Sequence, residues 1–305
     1  MKNKRKVVIC AIARMENQYI NDWVRHHLAV GFDHIYLYDN YHGSEERIKD
    51  IIDSEFFDRV TIIEVPDKSF IQSKCYNDCY KERNFDWMAF IDLDEYITLV
   101  PRKFKDIHEL VEQYSADEIL LNWRFYDDSD LLDCDGRPVD ERFCRSLPGA
   151  FSPYNMFGSL SYCRHVKQIL RKGLNIKQVG IHATEIENVI ICVDGDGKRV
   201  KAEPLLPYYT FSSCYIKHFF TKTITEYIDK KSKRTGGATP GTHYDLADFF
   251  LYNRPTLEKI KIYRSAKVKH QRSQTTKSLK WWIKCWIKMW IIVPILNIKE
   301  LLARQ

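Results

Sequence analysis

The 305-residue sequence has no CxxC pair among its nine cysteines, no internal repeat and no low-complexity stretch. Zinc-ribbon spacing is therefore absent, and cysteines scattered from Cys10 to Cys285 point to a reduced, cytoplasmic setting. A cleavable signal sequence is not expected. The apolar run at residues 7–13 is only seven residues long, and Arg14 follows it without a small-residue cleavage site. Charge of one sign is in small excess, 47 Lys and Arg against 41 Asp and Glu. Hydrophobic residues at 45% and charged residues at 29% exclude a disordered or collagen-like chain. The length fits one large domain or two small ones. Aromatic residues are plentiful at 13%, and four of the seven Trp fall within residues 281–290. Residues 254–305 hold 13 basic and two acidic side chains, a net +11, which leaves −5 on the rest. A slightly acidic body with a basic tail argues against a nucleic-acid binder and for a surface-seeking appendage.

The hydrophobic pattern alternates strand and helix. Residues 7–13 read as a strand covered on both faces, and residues 18–30 as a helix stopped by Gly31. Strands are expected at 34–38, 60–65 and 87–91, with helices at 45–53 and 70–83. Such alternation predicts an α/β fold with a doubly wound, mostly parallel sheet, whose ligands sit beyond the carboxyl ends of the strands. Residues 14–17, 39–40 and 92–95 then share one crevice. Further on, strands are expected at 118–125, 189–193 and 214–220, a hairpin turn at 194–197, a helix at 224–233 and a flexible loop at 235–242. Cys75 and Cys79 are expected as core neighbours on one helix.

Asp92-x-Asp94 directly follows the apolar strand Met88-Ala89-Phe90-Ile91. Two carboxylates there can meet a hard divalent cation that bridges a diphosphate, and Glu95 reinforces the site. A haloacid-dehalogenase hydrolase also places DxD after a strand, but its usual Thr or Val two residues on is Tyr96 here.

The run Ala13-Arg14-Met15-Glu16-Asn17, with Trp23 to His27, Gly31-Phe32-Asp33-His34 and Tyr36-Leu37-Tyr38-Asp39-Asn40, resembles the N-terminal half of GT-A glycosyltransferases. Its pattern is similar to that of glycosyltransferase family 2 and family 92-like proteins. Phe90-Ile91-Asp92-Leu93-Asp94-Glu95-Tyr96 resembles their F-l-D-x-D-E-F block. The segment from Ile216 through His218 and Lys222 to Arg234 is similar to their H-Y-x-t-K-S block. The likeness covers residues 7–235. It departs at Arg14, where the family often has Lys, and at Gly236, which follows Thr235 instead of Arg234.

The resemblance implies a GT-A fold with a Rossmann-like nucleotide-binding half and a nucleotide-sugar donor, commonly a UDP-sugar, with Mn²⁺ or Mg²⁺. It implies metal ligands at Asp92, Asp94 and His218, with His182 as the other histidine. Donor-binding candidates are Arg14, Glu16, Asp39, Asn40, Lys74, Asp92, Lys222, Lys230 and Arg234. Family 2-like enzymes invert, so a carboxylate must deprotonate the acceptor hydroxyl. Candidates are Asp127, Asp128 and Asp130, then Asp140 and Glu141. Trp123, Phe125 and Tyr126 read as core packing or as a sugar platform.

The expected organisation is a catalytic domain at 1–253, with a nucleotide-binding half at 1–100 and an acceptor half at 101–253, then an amphipathic helical tail at 254–305. In that tail Lys277, Lys280, Lys284 and Lys288 share one helical face among four Trp, and Pro294 ends the run. Its central lysines argue against a bilayer span, and an in-plane helix fits better. This reading gives a cytoplasmic enzyme peripheral to the inner face of the membrane, acting on a glycan or glycolipid in polysaccharide synthesis. Alternatives are a nucleotidyltransferase, which would usually show a glycine-rich phosphate loop that Ala13 to Asn17 lacks, and a non-catalytic membrane-associated sugar or nucleotide binder.

Overall fold

Val7–Ala13, with its unbroken run of apolar and β-branched residues, forms the buried strand β1 at the centre of a parallel set. The computed structural model describes residues 4–43, 45–149, 161–231 and 248–270. After β1 come helix α1 (Ile20–Val30), β2 (His34–Asp39), α2 (Ile48–Ile51), β3 (Val60–Glu64), α3 (Gln72–Glu82) and β4 (Trp87–Phe90). β2 and β4 flank β1, and β3 lies outside β2, all parallel. The chain thus travels outward from β1 and returns to its other side, which places a topological switch point between β1 and β4. The α/β fold expected from the alternation is the one present.

The two faces of these strands follow from the period of two. Val8, Cys10, Tyr36, Tyr38, Met88 and Phe90 pack on Cys75, Tyr76, Cys79 and Tyr80 of α3. Cys75 and Cys79 are core neighbours, as expected. α1 ends at Gly31, whose φ of 107° is left-handed, and Phe32 N–H returns to His27 O at 3.2 Å. The second helix is shorter than the pattern predicts. Asp39 Oδ2 accepts the Ile48 N–H at 2.8 Å, so the helix starts there and not at residue 45.

β5 (Glu95–Leu99) begins directly after Asp94, followed by α4 (Ile107–Gln113), which Asp106 caps through Glu109 N–H at 3.0 Å. β6 (Glu118–Phe125) leads to α5 (Val139–Arg142). β7 (Val166–Arg171) lies antiparallel between β4 and β6. β8 (Ile176–Val179) and β9 (Thr184–Ile186) form a separate ribbon. β10 (Cys192–Asp194) joins β6, and β11 (Cys214–His218) pairs antiparallel with β5. The strand expected from residue 189 starts later, because Val189 stands fully in solvent. The turn at 194–197 closes as expected, with Gly197 N–H on Asp194 O at 2.9 Å and Gly197 φ at 82°. The nine-stranded sheet runs β3-β2-β1-β4-β7-β6-β11-β5, with β10 off this path on β6, so its first four strands are parallel and the remainder mixed.

The chain divides into two compact units, Met1–Trp123 with Arg164–His218, and Arg124–Cys163 with Phe219–Gln305. In the second, α6 (Ile224–Lys231), α7 (Phe249–Tyr252) and α8 (Leu257–His270) bury Ile224, Tyr227, Phe249, Phe250, Tyr263 and Ala266 together. Thr223 and Glu226 form a capping box at the start of α6, with Thr223 N–H on Glu226 Oε2 at 3.0 Å and Glu226 N–H on Thr223 Oγ1 at 3.3 Å. The same Glu226 takes a two-pronged bond from buried Arg142 at 2.9 and 3.0 Å. The loop at 235–242 and the tail beyond residue 270 lie outside the described residues. Among those described, no helix is long and apolar enough to cross a membrane.

Candidate active site

The parallel strands deliver three predicted positions to one edge of the first unit. Ala13 stands opposite Asp39 in the β1–β2 register, Asn40 N–H bonds Ala13 O at 3.0 Å, and β4 ends two residues before Asp92. Asp39 is buried, and burial raises its carboxyl pKa while the Ile48 N–H opposes the rise. Asn40 clasps the Lys68 backbone through both ends of its amide, at 2.7 and 3.2 Å. Glu16 is buried, Arg14 is half-buried, and Met15 between them has a left-handed φ of 57°. Beside them opens a cleft of ≈ 520 Å³ lined by Met15, Asn17, Gln18, Asn21, Glu46 and Ile51. Lys74 lies on the exposed side of α3, paired with Asp78.

The second predicted group is assembled by strand pairing. Glu95 of β5 faces His218 of β11, which brings His218 Nε2 within 3.6 Å of Asp94 Oδ1. His182, the other candidate, bonds Val166 O through Nδ1 at 3.1 Å. Burial and the nearby Lys167 ammonium lower its pKa to about 3, so it is neutral. Trp123 is half-buried among three imidazoles, with ring centroids 5.2 Å from His165, 5.0 Å from His182 and 4.5 Å from His218.

Asp92 has different company. Its Oδ2 lies 2.8 Å from Lys167 Nζ, and its Oδ1 accepts from Gln72 Nε2 at 2.5 Å. Burial pushes the Asp92 carboxyl up, but the Lys167 charge and hydrogen bond outweigh it, and the net is below the ordinary value. Glu95 is fully buried, and burial holds its carboxyl well above the usual range against the opposing pull of Lys167. Lys167 was not among the sequence candidates. A lysine inside an apolar strand gives only a faint signal, since the same pattern fits an outward-facing position.

Asp94 and His218 offer one carboxylate oxygen and one imidazole nitrogen 3.6 Å apart, a spacing that lets both reach an ion at bond lengths of about 2.1 Å. Asp92 is the poorer third ligand: each oxygen keeps a lone pair beyond the one given to Gln72 or Lys167, but the Lys167 ammonium 2.8 Å from Oδ2 repels a second cation there. Among the described residues no group of three His, Cys, Asp or Glu is arranged to hold a metal ion.

The base candidates belong to the second unit. Asp128 is fully buried against the equally buried Lys259, Nζ to Oδ2 2.5 Å, and burial lifts its carboxyl to about 6. Sealed in this way, it cannot reach an acceptor hydroxyl, which corrects the expectation for that residue. Asp127 bonds Arg145 at 2.6 Å, and Asp130 binds both Arg145 and Lys259. Glu141 is exposed on α5. Lys222 and Lys230 are buried, Lys222 with a left-handed φ of 55°, and Arg234 lies outside the described residues.

A model of glycosyltransferase family 92 matches residues 5–171. The chain belongs to glycosyltransferase family 92. Among solved structures, this family 92 chain is similar to S. aureus TarS 1-349 in complex with UDP, at 15% identity over 54% of this chain and 46% of that one, TM-score 0.34. The match therefore spans less than half of that structure's length. It is also similar to TarS 1-349 with UDP-GlcNAc, at 12% identity over 87% of this chain and 72% of that one, TM-score 0.36. HddC from Yersinia pseudotuberculosis matches at 16% identity over 60% of this chain and 72% of that one, TM-score 0.31. A search of curated proteins gave no match.

Proposed function

We propose that the chain transfers a monosaccharide from a nucleotide-sugar, a UDP-sugar by the family resemblance, to a hydroxyl of a glycan or lipid-linked acceptor. The transfer proceeds with inversion and depends on Mn²⁺ or Mg²⁺, in surface polysaccharide or glycolipid synthesis. One observation carries this reading: Asp94 Oδ1 and His218 Nε2 stand 3.6 Å apart at the carboxyl edge of the parallel strands, in a family 92 chain. There Asp94 and His218 would hold the cation, which when bound neutralises charge on the departing diphosphate as a Lewis acid.

The residues of the first unit supply binding and orientation. Asp39, fixed by the Ile48 N–H, and Asn40, fixed on Lys68, are rigid acceptors and donors for the nucleoside. The neighbouring cleft, with Asn17, Gln18 and Asn21 on its wall, suits a nucleobase edge because amides both donate and accept. The basic, Trp-rich segment at 277–292 serves as the membrane-surface element that brings a lipid-linked acceptor near, on the inner face of the cytoplasmic membrane.

The test is donor hydrolysis by the full chain across a panel of UDP-sugars, with and without MnCl₂. UDP release should require the metal, and Asp94→Ala should reduce it about 100-fold or more, equivalent to roughly 2.7 kcal/mol of barrier. Equal release by Asp94→Ala and wild type, or none from any sugar nucleotide, contradicts the reading.

A further inference from the structure

The first carboxylate of the Asp92-x-Asp94 pair already has a cation of the protein's own against it. Lys167 sits in β7 between β4 and β6, and its side chain is 0% exposed. Its Nζ lies 2.8 Å from Asp92 Oδ2 and 3.6 Å from Glu95 Oε2, and these acids are its ion-pair partners among the described residues. Asp92 is tied on its other flank by Gln72 Nε2, and Glu95 Oε2 accepts the Asp92 N–H at 2.9 Å. The Asp92 side chain is nonetheless 33% exposed, so it presents a surface to a ligand with its counter-charge behind it.

Lysine is almost never fully buried unless paired, and an apolar side chain would fill the same space without the cost of dehydrating an ammonium. The pair therefore calls for a role beyond packing. A carboxylate oxygen that accepts a short bond from an ammonium would set that positive charge beside any divalent ion it also ligated. Repulsion between the two cations opposes such sharing.

We propose that Lys167 is a positioning residue for donor binding. It acts as a built-in counter-cation that withdraws Asp92 from metal ligation and holds it as a hydrogen-bond acceptor for the donor's ribose hydroxyls. Asp94 and His218 are then the protein's ligands to the ion. This rests on the donor and metal reading above and assigns separate tasks within the same site.

Mn²⁺ binding is read by electron paramagnetic resonance with MnCl₂ alone, and UDP binding by equilibrium dialysis, on the folded full chain. Asp92→Asn should keep the Mn²⁺ affinity within about threefold while weakening UDP about tenfold, and Asp94→Asn should weaken Mn²⁺ about tenfold or more. The double variant Lys167→Met with Glu95→Gln removes both members of the 3.6 Å contact and frees Asp92, so it should bind Mn²⁺ about tenfold more tightly than wild type. A purely structural Lys167 would change stability and leave Mn²⁺ affinity alone. The proposal is overturned if Asp92→Asn and Asp94→Asn weaken Mn²⁺ equally, or if the folded double variant gains nothing. Should the double variant fail to fold, the two single variants decide. Should wild type bind UDP but no Mn²⁺, the metal reading fails by itself. A gain of Mn²⁺ by the double variant would then still uphold the role of Lys167, and no gain would overturn it.

Discussion

Glu118 opens β6 with its side chain fully buried, and the Cys192 thiol and the Thr184 backbone only partly offset the effect of that burial on its carboxyl. Burial pushes its carboxyl from 4.5 up to about 7. Between those values the folded chain holds a proton that the unfolded chain has released. This contribution is therefore fully present below about pH 4.5 and is lost as pH rises through 7. A difference of about 2.5 pKa units is worth roughly 3 kcal/mol. Glu118→Gln removes the titration and keeps the shape. Its stability relative to wild type should rise by about 3 kcal/mol between pH 4.5 and pH 8, with other titrations cancelling in the difference. Urea unfolding followed by circular dichroism at both pH values reads this as a midpoint separation that grows by about 1 M or more. A separation that stays constant with pH would refute the buried, neutral carboxyl.

Arg142 and Glu226 should behave as a buried pair in the second unit, since their side chains are only 1% and 5% exposed. Arg142→Met alone should destabilise by about 3–5 kcal/mol in the same urea assay, because it strands the Glu226 charge; a loss below about 1 kcal/mol would contradict this. For the tail, flotation of the full chain with anionic vesicles should carry it to the lipid layer. Release by salt is expected, because each basic residue near the surface contributes only about 1 kcal/mol. Protein that stays at the bottom of the gradient removes the membrane reading.

The parallel half of the sheet was legible because each element is a local apolar pattern with its own stop signal: Gly31 after the helix α1, Asp39-Asn40 at the end of β2, Asp92 after β4. β5 was not. Glu95 to Leu99 follows Asp94 without a turn residue between them, and its partner β11 lies far along the chain. The pairing that carries His218 to Asp94 is thus a non-local fact, and the family resemblance alone pointed to that histidine. Lys167 was missed for a related reason. One lysine within Val166–Arg171 reads as a solvent position until the flanking strands β4 and β6 close over it. In the second unit, the acids after Phe125 are candidate bases by sequence. Asp128 is instead closed off by Lys259, a residue of the basic stretch that charge counting assigned to the tail. Counting charges shows how many there are, but partners fix which of them meet water.

The place where a cation settles decides between these roles for Asp92, Asp94 and His218. Anomalous diffraction at the manganese edge, from crystals of the full chain soaked with MnCl₂ and UDP, should give a peak between Asp94 Oδ1 and His218 Nε2, with the nucleoside running toward Asp39. A peak elsewhere, or UDP bound away from the carboxyl ends of β1, β2 and β4, would contradict it.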